Sequence, residues 1–314
     1  MSNSASSFTG VSSGYTAGTP VPADSPIRDN IADAVRRVRE TTPLAQSFTN
    51  FVTINLVANA QLAAGGTAAM SFLPDDVIET AKIAGANYIN VGTLLPFYKD
   101  ALPETAQRLN YLDKPWVLDP VAAGIGRTRT AILQAFKAAP PTMIRANASE
   151  VIALANMWGL NTETVGDASE HRPAGVESVD DVESATGAAV ALAQYLTEQH
   201  AKHSSHDAST RCAVAVSGIA DLVTDGETVY RLPGGSAMMT KITGAGCSLG
   251  GVAATYLAVS DPLTAALSAS LLYNRAGEVA DTTSHGPGSF QVAFLDALWN
   301  VTAEQVAKSE ILVQ

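Results

Sequence analysis

Charged residues and cysteines are scarce in this 314-residue sequence. Charged residues make up 16% of the chain, against about 25% in an average protein, whereas 46% of the residues are hydrophobic. Because a chain of this size and composition can bury a large core, disorder over most of its length is excluded. The 19 basic and 30 acidic residues give a net charge of −11, and no basic block stands out. We therefore expect no nucleic-acid partner.

The two cysteines, Cys212 and Cys247, do not form a C-x-x-C pair. A disulfide framework and a structural zinc site are therefore not expected, and a reducing compartment fits better. The first basic residue is Arg28, and no apolar run precedes it, unlike in a secretory or transit peptide. The longest apolar stretches lie within residues 250–273, and Asp261-Pro262 divides them into halves too short to span a membrane. These features predict a soluble cytoplasmic protein without a membrane partner.

The composition along the chain predicts a tail followed by one domain. Residues 1–25 contain seven serines and a single charged residue, Asp24, so we expect a disordered tail. Ser25-Pro26 is typical of a helix start, and a single domain is predicted over residues 26–314. Residues 159–186 are acidic and interrupt the pattern, so we interpret them as a surface insertion.

Short apolar runs alternate with helical patterns along this domain. The runs are hydrophobic throughout, which indicates a sheet covered on both faces. Strands that alternate with helices predict an α/β fold with a mostly parallel central sheet flanked by helices on both faces. Asp225-Gly226 is a hairpin signal. The predicted strands are Thr67–Met70, 88–91, 116–121, 143–145 and 213–216, and the predicted helices are 51–64, 74–84, 103–113, 129–138, 150–158, 246–259, 262–280 and 290–299.

The most informative motif is Thr240-Lys-Ile-Thr-Gly-Ala-Gly-Cys. A short extended run meets Gly244-Ala245-Gly246, and a helix of small residues begins at once. Backbone N–H groups at such a turn converge on one point, and the helix N-terminus adds a partial positive charge. This predicts an anion site suited to a transferring phosphoryl group, with close helix packing as the alternative. The segment does not follow the Walker pattern G-x-x-x-x-G-K-[ST].

The two cysteines differ in their predicted surroundings. Cys247 falls in the first turn of the helix after the glycines, where we expect a lowered thiol pKa and a favoured thiolate. The alternative is an inert core residue, which is the usual role of a free cysteine. For Cys212, on an apolar strand, that inert role is the favoured interpretation.

Polar residues follow two of the predicted strands. Asp119 comes at the end of one strand, and Asn147 and Glu150 follow the next. In open α/β sheets ligands gather at the carboxyl ends of the strands, and two carboxylates there suit Mg²⁺ held partly through water. For Glu150 the alternative is a helix start with a capping residue.

Three histidines, His200, His203 and His206, are spaced as on one helical face. That spacing could form a metal face, but the neighbouring Ser204, Ser205 and Asp207 favour a polar loop.

The motifs together closely resemble the hydroxyethylthiazole kinase family, a thiamine-salvage branch of the ribokinase-like superfamily. They follow the family's order from about Pro43 to Lys308, so the resemblance covers most of the chain. The matching segments are Pro43-Leu-Ala-Gln-Ser-Phe-Thr-Asn-Phe-Val with Asn55 and Ala58-Asn59-Ala60, then Ala68-Ala-Met70, Asn90-Val-Gly-Thr-Leu, Leu118-Asp-Pro-Val, Ile144-Arg-Ala-Asn-Ala-Ser-Glu, Thr240-Lys-Ile-Thr-Gly-Ala-Gly-Cys and Gly286-Pro-Gly-Ser-Phe.

The resemblance implies ATP-dependent phosphorylation of the hydroxyl of 4-methyl-5-(2-hydroxyethyl)thiazole with Mg²⁺. It also implies a ribokinase-like fold without a separate lid domain, and a homotrimer with active sites between subunits. By this resemblance, the residues that should contact the thiazole are Met70, Asn50 and Thr49, and those that should bind nucleotide are Arg129, Ser217 and Asn147. Asp119 and Glu150 should serve the metal and phosphates. Gly244, with Ala245 and Gly246, should face the substrate hydroxyl and the transferring phosphate, and Cys247 takes the place of the superfamily's aspartate base.

Several positions depart from the family pattern. Ala122 and Ala146 stand where the family has glycine, and Gln46 stands where it commonly has histidine. Two other functions therefore stay open: a kinase for another small alcohol such as the hydroxymethylpyrimidine, and a catalytically silent thiazole-binding protein. The Thr49-Asn50 segment argues against the first, and the intact turn at Gly244 argues against the second.

Overall fold

The computed structural model describes residues 18–160, 182–203 and 210–314. The strands are β1 (Thr19–Pro20), β2 (Leu44–Phe48), β3 (Thr67–Met70), β4 (Ala86–Asn90), β5 (Trp116–Asp119), β6 (Met143–Asn147), β7 (Ala213–Ser217), β8 (Ala220–Thr224), β9 (Val229–Pro233) and β10 (Leu312–Val313). The helices are α1 (Pro26–Thr41), α2 (Ile54–Ala63), α3 (Pro74–Ile83), α4 (Tyr98–Tyr111), α5 (Arg127–Ala135), α6 (Ala148–Trp158), α7 (Thr186–His203), α8 (Ala245–Leu257), α9 (Pro262–Thr283), α10 (Pro287–Asn300) and α11 (Ala303–Ala307), with a 3₁₀ turn at Ala237–Lys241.

All of these strands belong to one sheet, in the order β1-β10-β9-β8-β7-β6-β5-β4-β2-β3. The strands from β3 to β7 in this order run parallel, whereas β7, β8, β9, β10 and β1 pair antiparallel. The carboxyl ends of the parallel strands therefore meet at one edge of the sheet, which is where α/β proteins place their ligands. The mostly parallel α/β sheet predicted from the sequence is confirmed.

The sheet separates two hydrophobic cores. Helices α1, α2 and α8–α11 cover one face, and α3–α7 cover the other. Consecutive strand residues alternate between the cores: Met143 packs in the first and Ile144 in the second. Both must be apolar, which explains why these strands read as continuous hydrophobic runs. In the part of the chain that the structure describes, no lid domain stands apart from this sheet.

The N-terminal residues correct one prediction. Residues 18–25 were expected to belong to a disordered tail, but Thr19–Pro20 pairs with Leu312–Val313, and Val21 is buried. The strand forms because its partner comes from the far end of the chain, which no local pattern shows. Residues 1–17 of the predicted tail and most of the predicted 159–186 insertion, residues 161–181, lie outside the described residues.

One helix also differs from the sequence pattern. Helix α4 begins at Tyr98, so Pro103 lies inside it rather than at its start. Tyr98, Ala101 and Leu102 are buried, and this packing compensates for the hydrogen bond that proline cannot donate.

None of the helices in the described ranges is long and apolar enough to cross a membrane.

Candidate active site

The first turn of α8 lies at the carboxyl edge of the sheet. Gly244 precedes the helix with φ +92, a backbone conformation that favours glycine. A Cβ on Gly244 would also lie 2.8 Å from Thr53 Cγ2, so a side chain does not fit there. The first helical bond from this end runs from Ser248 N to Gly244 O (2.8 Å). The N–H groups of residues 245–247 precede that bond and are the ones that a helix N-terminus offers to an anion.

Arg145, in the middle of β6, brings its guanidinium close to this turn. A Cβ on Gly246 would lie 2.7 Å from Arg145 Nη1, so the small residue lets the guanidinium approach the helix end. Arg145 Nη2 donates to Ser217 Oγ (2.6 Å), and Nη1 lies 3.8 Å from Asp119 Oδ2. Burial alone would lower the pKa of Arg145, but the charges of Asp119 and Glu150 outweigh it and raise that pKa. A permanent cation therefore reinforces the predicted anion site.

The two carboxylate oxygens of Asp119, at the end of β5, differ: one accepts two hydrogen bonds, and the other accepts none from the described parts of the chain. Oδ2 accepts from Tyr88 Oη (2.9 Å) and Asn90 Nδ2 (3.0 Å). Oδ1 is buried and finds no hydrogen-bond partner among the described residues. Burial raises the pKa of the Asp119 carboxyl above its ordinary value, Arg145 opposes this, and the charge of Glu150 adds to it. An orphaned buried carboxylate oxygen at this edge is suited to a cation.

Glu150 caps the start of α6. Its Oε2 accepts from Asn147 N (2.9 Å), while Asn147 Oδ1 accepts from Glu150 N (2.9 Å). The helix-start alternative for Glu150 is thus confirmed. The second oxygen, Oε1, accepts from Ala122 N (2.9 Å), and Ala122 has φ +57, which is rare for alanine. No group of three or more His, Cys, Asp or Glu side chains that could enclose a metal forms in the described ranges.

Cys247 lies in the first turn of α8 as expected, but its predicted acidity is wrong. Burial, followed by the charge of Asp119, raises the pKa of the Cys247 thiol to about 11. Both effects disfavour a thiolate, and they outweigh the charge of Arg145, which lowers this pKa. Cys247 is therefore a neutral thiol near pH 7.

One of the residues expected to contact the thiazole, Asn50, lies beside that thiol. Asn50 Nδ2 donates to Asn90 Oδ1 (2.9 Å) and lies 3.6 Å from Cys247 Sγ. Thr49 is buried next to Asn50, and Met70, at the end of β3, is half-buried against the core that includes α8. The structure thus brings Asn50 and Cys247 together.

The three residues expected to bind nucleotide are spread along the edge. Ser217, at the end of β7, contacts Arg145, and Asn147 caps α6. Arg129, on α5, donates from Nε to Val91 O (3.2 Å) and from Nη1 to Ile125 O (3.0 Å). Among these bonds, only that of Ser217 goes to a residue that reaches the turn at α8, namely Arg145.

The remaining sequence candidates lie away from this edge. Cys212 is buried, and burial raises its pKa to about 12, in line with an inert role. His200 lies on α7 with Nε2 3.0 Å from Pro141 O, whereas His206 and the side chain of His203 are outside the described parts of the chain.

Sequence reasoning missed three residues of the site: Arg145, Tyr88 and Asn90. Each carries a polar group within an otherwise apolar strand, and this is the signal that could have revealed it. The spacing of Tyr88 and Asn90, two apart on β4, places both on the face that α8 covers.

The fold is ribokinase-like, and the buried cation and helix N-terminus at the carboxyl edge of its mostly parallel sheet are suited to a phosphotransferase. Pyridoxal kinase from Staphylococcus aureus, solved in complex with ADP, shares this fold at 15% identity, with a TM-score of 0.51 over 76% of this chain and 88% of that one. The model of the hydroxyethylthiazole kinase family matches residues 35–304, and the chain belongs to that family.

Relatives within the family cover nearly the whole chain. The sequence is 99% identical over all 314 residues to a hydroxyethylthiazole kinase of Bifidobacterium longum. It is 68% identical to that of Bifidobacterium adolescentis over 91% of this chain and 95% of the relative. The solved hydroxyethylthiazole kinase of Pyrococcus horikoshii is 28% identical and superposes with a TM-score of 0.76 over 91% of this chain and 99% of that one.

Proposed function

We propose that the chain transfers the terminal phosphoryl group of ATP to the hydroxyl of the hydroxyethylthiazole, a step of thiamine salvage. Family membership supports the reaction class. The observation that carries the proposal is the first turn of α8, where free N–H groups, buried Arg145 and the Asn50–Cys247 pair meet. A phosphoryl group at that turn would lie near the Arg145 guanidinium and near the Asn50–Cys247 pair.

The phosphate side consists of Gly244, Ala245, Gly246 and Arg145. Phosphoryl transfer is mostly a matter of positioning and of stabilising charge on the transferring group. The N–H groups of α8 and the guanidinium supply that stabilisation without rearrangement, because both are fixed by packing. Ser217 orients Arg145, and we assign it to the nucleotide together with Asn147 and Arg129.

The substrate side consists of Asn50, Thr49 and Met70. Asn50 orients the thiazole through its amide, and Met70 gives an apolar contact suited to a heterocycle. Cys247 faces the substrate hydroxyl. Because its thiol is already protonated near pH 7, it orients the hydroxyl by a hydrogen bond and does not accept the hydroxyl proton, which passes to the transferred phosphoryl group.

Asp119 and Glu150 fit Mg²⁺ in the way that nucleotide enzymes hold it. Mg²⁺ is usually bound by one or two carboxylates together with waters and substrate phosphates. The orphaned Asp119 Oδ1 meets that need, and Glu150 lies close enough to affect the pKa of Asp119. When bound, the ion neutralises charge on the phosphates. Asp119 holds its free oxygen toward that role, while Glu150 also fixes the loop at Ala122.

The homotrimer with sites between subunits also belongs to this proposal. Apolar side chains adjoin the substrate residues yet stay open in the single chain: Phe51 is 47%, Val52 55% and Leu73 62% exposed. An apolar surface of this kind beside a binding site is typical of a protein interface. If this surface is the interface of the trimer that the family resemblance implies, light scattering should give three times the monomer mass, and a monodisperse, fully active monomer would contradict this part.

One assay separates the proposal from its rivals. ATP consumption is measured with the thiazole alcohol, with the pyrimidine alcohol and with neither, and phosphorylated products are identified by mass spectrometry. We expect thiazole phosphate in equal amount to ADP. A faster reaction with the pyrimidine alcohol would favour the other kinase, and thiazole binding without ADP formation would favour the silent protein.

A further inference from the structure

We propose that Asn90 is a positioning residue that joins the thiazole contact Asn50 to the metal-binding carboxylate Asp119. This inference rests on the proposed function, which gives those two residues their roles. Asn90 is the last residue of β4, which lies between β2 and β5 in the sheet. Asn50 follows β2, and Asp119 ends β5. It is buried, and it faces the side of the sheet that α8 covers.

The Asn90 amide uses both its donor and its acceptor capacity within the site. Oδ1 accepts from Asn50 Nδ2 (2.9 Å) and from Gly92 N (2.8 Å). Nδ2 donates to Asp119 Oδ2 (3.0 Å) and to Tyr88 Oη (2.8 Å). Four bonds to one amide fix its orientation, because a flipped amide would present donors to donors.

These bonds determine which oxygen of Asp119 is free. Asn90 and Tyr88 both bond Oδ2, and the buried Oδ1 is left without a partner in the described ranges. A carboxylate without these two bonds could rotate and exchange its oxygens. Asn90 and Tyr88 therefore hold Asp119 ready for the cation, and Asn90 at the same time holds Asn50 toward the substrate.

Gly92 has the shape that this arrangement requires. A Cβ at Gly92 would lie 2.9 Å from Asn90 Oδ1 and 3.0 Å from Asn50 Nδ2. The missing side chain lets the Gly92 N–H approach Asn90, so the Asn90-Val-Gly segment works as a unit.

The test replaces Asn90 with leucine and uses Asn87→Leu as a matched control. Asn87 is a buried asparagine on the same strand, but it faces the other core, and its amide donates to Pro115 O (3.3 Å). Two binding readouts are measured: the Kd for the thiazole alcohol by calorimetry without metal, and the Mg²⁺ concentration that half-saturates thermal stabilisation of the ADP complex.

We expect Asn90→Leu to raise both values by about tenfold, the effect of one lost hydrogen bond to each arm. Asn87→Leu should lower the melting temperature and leave both values unchanged. Tyr88→Phe keeps the ring and removes one bond to Asp119, so it should raise only the Mg²⁺ value. If the Asn90→Leu protein does not fold, the Tyr88→Phe variant alone still tests the proposal.

Two results would overturn the proposal. One is an Asn90→Leu protein whose melting temperature falls while its thiazole Kd and its half-saturating Mg²⁺ concentration stay unchanged. The other is a Tyr88→Phe protein with an unchanged half-saturating Mg²⁺ concentration. Failure of the proposed function is a different outcome. In that case the wild-type protein would not bind the thiazole alcohol at all, whatever the variants do.

Discussion

Asn87 and Asn90 lie three residues apart on β4, and each is 1% exposed. Asn90 faces α8 and makes four hydrogen bonds with other residues of the site. Asn87 faces the opposite core, where its amide oxygen lacks a partner among the described residues. Burial alone therefore does not distinguish a functional polar residue from a structural one. The bonds that surround it, and the face of the sheet on which it lies, do.

The same contrast recurs for two buried arginines. Arg145 points to the turn at α8 and keeps one nitrogen, Nε, without a partner in the described part of the chain. Arg231 pairs with Glu183 Oε2 (2.6 Å) and Thr186 Oγ1 (2.8 Å) near the antiparallel end of the sheet. Arg145 can therefore still donate a hydrogen bond to a ligand, whereas Arg231 binds side chains that stabilise the fold. Several site residues have such a structural counterpart elsewhere in the fold.

The largest effect is expected for Arg145→Met. Removing the cation from the α8 turn should lower kcat by roughly 10²–10³-fold, the usual effect of losing one donor to a transition-state charge. Arg231→Met should instead destabilise the fold by about 1–3 kcal/mol, because Glu183 and Thr186 lose their partner, with kcat unchanged. Steady-state kinetics and urea unfolding of both variants check this pair. Equal losses of kcat would break the comparison.

Gly244→Ala should come next. The new Cβ would collide with Thr53 and would sit at φ +92, so the turn must shift and kcat should fall by about 10²-fold. Gly126→Ala is the control, because Gly126 also has a positive φ (+80) but has nothing within 4 Å of its Cβ position. It should cost about 1–2 kcal/mol of stability and little activity. Similar kinetics in the two variants would show that backbone strain, not the contact with Thr53, matters.

Cys247→Ala should have a moderate effect. A protonated thiol orients the hydroxyl but does not act as a general base, so kcat should fall by less than about 10²-fold, the low end of general-base assistance, with little change in thiazole KM. Cys212→Ala, on the other side of the sheet, should leave both constants unchanged. A wild-type kcat in Cys247→Ala would remove the thiol from the reaction.

The raised thiol pKa has a direct chemical consequence. At pH 8 a thiol with a pKa of about 11 is almost wholly protonated, so Cys247 should react with iodoacetamide far more slowly than a free cysteine. The rate should increase as the pH rises toward 11. Cys212→Ser protein, with Cys247 as its only thiol, gives the measurement, and urea-unfolded protein gives the reference. Rapid labelling at pH 7 in the folded protein would indicate a thiolate instead.

The smallest effect concerns the neighbouring alanines 122 and 123. Ala122→Gly relieves a left-handed backbone at φ +57 and should leave stability within about 0.5 kcal/mol of wild type or increase it. Ala123→Gly, in the buried core without a positive φ, should cost about 1 kcal/mol. Thermal unfolding compares the two, and an equal loss would show that Ala122 is not strained.

The sequence predicted the architecture well because the parallel strands are buried on both faces. Strand β3 was predicted at its observed ends, and the hairpin at Asp225-Gly226 joins β8 and β9. Strands β1 and β10 were not predicted, since each has two residues and exists only through pairing with a distant segment. Such short strands leave no local periodicity to detect.

The site was predicted only in part. The turn at Gly244 was visible because its chemistry is local. The acidity of Cys247 was misjudged because burial and the charge of Asp119 come from distant segments. Arg145, Tyr88 and Asn90 were missed for the same reason: their roles depend on which strands are neighbours, and sequence spacing does not give that order.

The most direct test of the account measures ADP formation with the thiazole alcohol in wild-type, Asn90→Leu and Asn87→Leu proteins. We predict ADP formation that requires the thiazole alcohol in wild type, that persists in Asn87→Leu, and that needs more thiazole alcohol and more Mg²⁺ in Asn90→Leu. ADP formation that does not depend on the thiazole alcohol, or that responds equally to both substitutions, would contradict it.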